Sequence, residues 1–96
     1  MSPASTDRAA VVIVGGGVLG CSIAWHLASK GVTVNAIDPG PTDTGWLSAD
    51  LRTRLLQRAP LGRIGTPHDA AKLVLYLVSS EAQWVTGQVI RSRGGF

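Results

Sequence analysis

The 96-residue chain has room for one small domain and no more. With 45% hydrophobic and 16% charged residues, it is a globular sequence rather than a disordered one. Its net charge of +3 comes with no basic run and no aromatic-interleaved basic platform, so nucleic acid is not an expected partner. Cys21 is the single cysteine, which excludes an internal disulfide.

Residues 1–8 are polar and read as a disordered lead, neither signal peptide nor anchor. The remaining residues, 9–96, are expected to form one domain. The apolar run in residues 9–14 is a strand of the kind buried on both faces of a parallel sheet. Gly15-Gly16-Gly17-Val18-Leu19-Gly20 follows, and residues 18–30 then read as a helix with Leu19, Ile23, Trp25, Leu27 and Ala28 on a broad apolar face. Gly31 stops that helix, and residues 33–37 form a second strand that closes on Asp38.

This strand–turn–helix–strand unit, residues 9–38, has the spacing of a dinucleotide-binding fingerprint. Gly15 permits the tight turn, Gly17 lets a pyrophosphate reach the backbone, and Gly20 lets the helix pack close to the strand. The helix N-terminus offers unpaired N–H groups to phosphate. Asp38 is placed to accept hydrogen bonds from ribose hydroxyls, and its charge favours NAD over NADP, whose 2′-phosphate it would repel.

Pro39-Gly40-Pro41 breaks the second strand, and residues 48–58 read as a helix carrying Leu51 and Leu55. Thr66 as N-cap, Pro67 at the first helical position and Asp69 near the dipole end start another helix, expected to reach residue 80. Its buried stripe is Ala70, Leu73, Val74, Leu77 and Val78. Residues 87–92 form the third strand. No stretch is long and apolar enough to span a bilayer, and a soluble, reducing, cytoplasmic setting is expected.

Two resemblances overlay this reading. Residues 11–28, VVIVGGGVLGCSIAWHLA, resemble the N-terminal FAD-binding fingerprint of D-amino-acid-oxidase-like flavin oxidoreductases. From about residue 27 to residue 96, ASKGVTVNAIDPGPTDTGW and then GRIGTPHDAAKLVLYLVSSEAQWVTGQVIRSRGGF are similar to the C-terminal third of the short-chain dehydrogenases/reductases. The second resemblance covers residues 39–96 completely, and the chain as a whole is chimera-like. It implies that Pro39, Gly40, Thr42 and Thr44 line a nicotinamide or pyrophosphate. It also implies a catalytic Tyr, a Lys four residues on and a Ser, of which this chain has no matching set. Tyr76 is the only tyrosine, and it reads as a core or interface aromatic. No catalytic residue and no metal ligand is assigned.

The expected fold is α/β: a small Rossmann-like, three-stranded parallel sheet in the order 1-2-3. Two right-handed crossovers moving one way across it would put the helices mainly on one face. An uncovered apolar face would then favour a homo-oligomer. The functional expectation is an oxidoreductase-derived module that binds an adenine dinucleotide, FAD or NAD, without catalysis by itself. The alternatives are an active NAD(P)-dependent dehydrogenase/reductase and a self-associating fragment or engineered chimera without ligand.

Overall fold

The computed structural model describes residues 10–15 and 17–96; the expected lead in residues 1–8 and the candidate Gly16 lie outside the described residues. Strand β1 (Ala10–Val14) leads to helix α1 (Gly17–Ser29) and strand β2 (Thr33–Asp38). Helices α2 (Ala49–Arg58) and α3 (Pro67–Leu77), a 3-10 turn (Ser80–Ala82) and strand β3 (Val89–Arg91) follow. The three strands form one parallel sheet in the order β1-β2-β3, an α/β, Rossmann-like arrangement. Val34, Asn35, Ala36 and Ile37 of the central strand are all buried, whereas β1, the apolar run expected to be buried on both faces, buries none of its described residues and leaves Val11 and Val14 exposed because it lies at the sheet's edge.

The side chains of β2 alternate between two separate apolar clusters. Val34 and Ala36, with Ile13, meet Ala24, Leu27 and Ala28 of α1. Ile37, with Val12 and Ile90, meets Leu73, Val74 and Leu77 of α3 together with Ala82 and Val85. Helices α1 and α3 therefore cover opposite faces, which corrects the expectation of helices mainly on one face; on the α1 side Val89 of β3 stays exposed beside Ala36.

Crossover handedness explains the difference. Ala36 faces α1 and donates its N–H to Gln88 O on the β3 side, at 2.8 Å. With L-residues, this puts β3 on the right when the sheet is viewed from α1 with its strands pointing up. The β1–α1–β2 connection is then right-handed, and the β2–α3–β3 connection is left-handed. The right-handed preference arises where a strand feeds a helix directly back onto the sheet. Here a loop and α2 intervene between β2 and α3, so that constraint is relaxed.

The packing face of α1 also differs from expectation. Its buried residues are the small ones, Gly20 and Ala24, while Leu19, Ile23 and Trp25 are exposed. Small residues allow close approach: a Cβ on Gly20 would lie 2.8 Å from Gly15 O.

Helix α3 ends at Leu77 instead of running to residue 80, because the Ser79 hydroxyl donates to Tyr76 O at 2.6 Å and the chain turns into the 3-10 segment. Val78, expected in the buried stripe, is exposed. Strand β3 is shorter than expected because side chains replace part of its ladder. Thr86 Oγ1 accepts from Val34 N–H at 3.0 Å. Asn35 Nδ2 donates to Val85 O at 3.0 Å, while Asn35 Oδ1 accepts from Gln88 N–H at 3.2 Å. The buried Asn35 amide is thus satisfied on both sides, as a buried polar group must be.

Candidate functional site at the carboxyl edge of the sheet

Because all three strands are parallel, the segments leaving them emerge at one edge. The glycine turn follows β1, residues 39–44 follow β2, and Ser92 and Arg93 follow β3. Backbone bonds tie the three together: Gly15 N–H donates to Ile37 O at 2.9 Å, and Ser92 N–H donates to Asp38 O at 3.0 Å. Candidates that are distant in sequence, Gly15, Gly17, Val18, Leu19 and Gly20 on one side and Asp38, Pro39, Gly40, Thr42 and Thr44 on the other, are brought to this edge. Edges of this kind are where open α/β sheets bind ligands.

Around the glycine turn there is open space. A Cβ built on Gly15 or Gly17 would meet nothing within 4 Å, and Val18 and Leu19 are exposed beside them. The first turn of α1 carries no acidic residue that would repel a phosphate. These residues fit a dinucleotide phosphate.

Asp38 is engaged locally. Its Oδ1 accepts from Gly40 N–H at 3.2 Å, and its Oδ2 stands 3.6 Å from Arg93 Nη1. The carboxylate that the spacing reserves for a ribose is here part of a turn. The ranking of NAD above NADP, drawn from that charge, loses its basis. Gly40 adopts φ +64, and a Cβ there would lie 2.7 Å from Arg93 Nε, so glycine is needed both for the turn and for the passage of Arg93.

The outgoing ledge is fastened by polar contacts. Thr42 Oγ1 donates to Gly40 O at 3.1 Å, Thr42 bridges to Gly65, and Asp43 N–H donates to Gly65 O at 2.7 Å. The Gly45 N–H and then the Arg52 guanidinium hold the Asp43 carboxyl below its ordinary range. Thr44 is exposed. Arg63 grips Asp69 through two bonds of 2.7 Å, and Thr66 N–H donates to Asp69 at 2.7 Å. The Arg63 bonds, followed by that backbone bond, keep Asp69 well below the usual carboxylate range, and the same pairing raises Arg63. Pro39, Thr42, Arg63, Thr66, Ser92 and Arg93 line a cavity of about 220 Å³ beside this ledge.

Sequence reasoning missed Arg93, Arg63 and Asn35. The opposite charges of Arg63 and Asp69 near one helix start were a readable signal. Nothing local connected Arg93 with Asp38.

The family described as enoyl-(acyl carrier protein) reductase matches residues 17–96 of this sequence. The chain belongs to the short-chain dehydrogenases/reductases. As a short-chain dehydrogenase/reductase chain, it is similar to an uncharacterized oxidoreductase of Bacillus subtilis, with 52% identity over 75 residues, 78% of this chain and 30% of that protein. It is also similar to a 3-oxoacyl-[acyl-carrier-protein] reductase of Chlamydia muridarum, 38% identical over 99 aligned positions, covering 98% of this chain and 39% of the relative. Among solved structures, an angucycline C-6 ketoreductase with bound NADP superposes with a TM-score of 0.76 at 28% identity, covering 93% of this chain and 44% of that one. The chain thus spans well under half the length of these relatives.

The dehydrogenase match begins at residue 17 and takes in the whole of α1, and with it residues 17–28 of the stretch 11–28 on which the flavin resemblance rested. Neither the FAD assignment nor the chimeric origin gains support.

Tyr76 lies on α3, about half exposed, with its carbonyl accepting from Ser79. It belongs to α3, whose packing side meets the Ile37 cluster, and not to the carboxyl-edge loops. Among the described residues there is no cluster of three or more His, Cys, Asp or Glu able to hold a metal, and no helix is long and apolar enough to cross a membrane.

Proposed function

We propose that this chain forms the cofactor-facing part of an NAD(P)-dependent short-chain dehydrogenase/reductase, an oxidoreductase acting on a carbonyl or alcohol. The observation that carries this reading is the meeting of the glycine turn and residues 38–44 at one sheet edge, with open space over Gly15 and Gly17. The residues that would hold the dinucleotide are Gly15, Gly17 and the α1 N-terminus toward phosphate, and Pro39, Gly40, Thr42 and Thr44 toward phosphate or nicotinamide. A bound nicotinamide supplies or accepts hydride. The chain's own contribution is orientation. The Asp38–Gly40 turn and the Thr42–Gly65 bridge fix the 39–44 ledge so that its backbone groups are presented without reorganisation.

NADP stands level with NAD in this reading, since Asp38 is committed to its own turn and the ketoreductase that superposes on the chain carries NADP. Among the described residues this edge holds no general acid placed for carbonyl reduction, so turnover is expected only with the remaining parts of a dehydrogenase. The binding-only module is the second reading, favoured by the position of Tyr76 away from the ledge.

Titration of NADP, NAD, ADP and FAD against the purified chain tests the assignment. NADP or NAD is expected to bind, and Gly17→Val and Thr44→Val should each weaken it. Binding of FAD alone, or of nothing at about millimolar concentration, would overturn it. Self-association is proposed for the same chain through its exposed Leu75, Tyr76 and Val89. Light scattering of Leu75→Asp and Val89→Asp checks that proposal.

A further inference from the structure

Sharing Arg93 with the ledge cavity is an open-sided cleft of about 430 Å³, lined by Pro41, Leu55, Arg58, Pro60, Arg93 and Phe96. Its charged side chains, Arg58 and Arg93, are both cationic; the other named side chains are apolar, and the main-chain carboxylate of Phe96, which forms no ion pair among the described residues, is the one anion of the lining. Arg58 has no ion pair among the described residues, whereas Arg52, Arg54 and Arg63 are each matched to an aspartate. Arg93 is incompletely matched: its Nη1 is 3.6 Å from Asp38, and its Nε, packed against Gly40 and closed to the cleft, has no hydrogen-bond partner, so its terminal nitrogens are what a ligand would meet. An unpaired buried guanidinium nitrogen is costly, and few native groups are left so. At its wall Gly95 packs close on Pro60, where a Cβ would lie 3.0 Å from Pro60 Cβ.

We propose that this cleft binds an anion with an apolar body, a carboxylate or phosphate monoester, whose charge is taken by Arg58 and Arg93 while its chain lies on Leu55, Pro60 and Phe96. Guanidinium groups suit such oxyanions because their planar N–H donors match two oxygens at once. Arg58 also sits in the last turn of α2, where a cation favours the helix dipole. That role needs no ligand, and the test must separate the two. The proposal does not depend on dinucleotide binding, but the cofactor's own phosphates are a second source of the same chemistry.

The experiment is a titration of the full chain with octanoate, octyl phosphate, octanol, inorganic phosphate and NADP, following the arginine Nε–H resonances by NMR. Octanoate and octyl phosphate are expected to shift the Arg58 and Arg93 signals, with octanol and inorganic phosphate each binding at least about tenfold more weakly. Arg58→Gln should weaken octanoate about tenfold or more, the cost of one charge-assisted hydrogen bond. Because α2 buries no residue, that variant stays folded even if Arg93→Gln does not. Undiminished octanoate binding by Arg58→Gln, equal binding of octanol, or no shift at about 10 mM would overturn the proposal. Displacement of octanoate by NADP would also overturn it, by assigning the anion to the cofactor. Failure of NADP to bind anywhere would count against the dinucleotide reading and leave octanoate binding as the support for this one.

Discussion

Strand β2 buries Val34 through Ile37 between two helices, whereas helix α2 is longer and buries none of its residues. The first is held by apolar contact on both faces. The second is held at its N-terminal end, by Ser48 accepting from Leu51 N–H at 3.1 Å and by Arg52 on Asp43. The candidate site lies where these two regimes meet: its glycine turn and Asp38 belong to the packed sheet, and its Thr42 and Thr44 belong to the polar excursion. The contrast implies that global stability resides in the sheet, while α2 can loosen by itself.

The largest test is to remove the centre of the packed region. Ile37→Ala should cost about 3 kcal/mol in urea unfolding, a large share of the total of about 5–10 kcal/mol expected for a domain of this size. Next is the close approach of α1 to the sheet. Gly20→Ala places a Cβ against the backbone carbonyl of Gly15, which cannot step aside, so a loss of about 1–3 kcal/mol is expected, together with weaker dinucleotide binding.

Ser48→Ala should sharpen the comparison from the other side. Loss of the cap should cost α2 about 1 kcal/mol of local stability, read as faster amide exchange in α2 with exchange in β2 and the global melt unchanged.

The smallest effect concerns pH. The carboxyls of Asp43 and Asp69 sit below their ordinary value of 3.8 in the folded chain, so the unfolded chain takes up protons first as pH falls. Their contribution is fully present above that value and is lost as pH drops through the lower folded values. Melting temperature should therefore hold steady from neutral pH to about 4 with respect to these groups and fall below it. Asp69→Asn should flatten that fall, and an unchanged profile would remove Asp69 from the account.

The elements themselves were legible in the sequence because their causes are local. The apolar run before Gly15, the Pro39-Gly40-Pro41 break, and Thr66 with Pro67 and Asp69 at a helix start each act within a few residues, and each element appears within a residue or two at those ends. The later ends of α3 and β3 were less legible, because Ser79 and the Asn35 side chain divert backbone groups from their regular partners. At the site, the sequence reading set Asp38 beside a ribose and did not foresee its neighbour in the fold. Its partner Arg93 is fifty-five positions away, and only the pairing of β2 with β3 brings the two together.

By itself the sequence determined a parallel three-stranded α/β chain with a glycine turn and a proline-glycine turn at equivalent strand ends, since periodicity and backbone freedom are properties of short stretches. Only the tertiary structure decided that α1 and α3 lie on opposite faces. The hand of the β2–β3 connection is set by how a loop and α2 carry the chain past the sheet, and no local pattern encodes it. The same packing decided that small residues of α1 face inward while Leu19 and Trp25 face out, because backbone approach over Gly20 outweighs the burial of larger side chains.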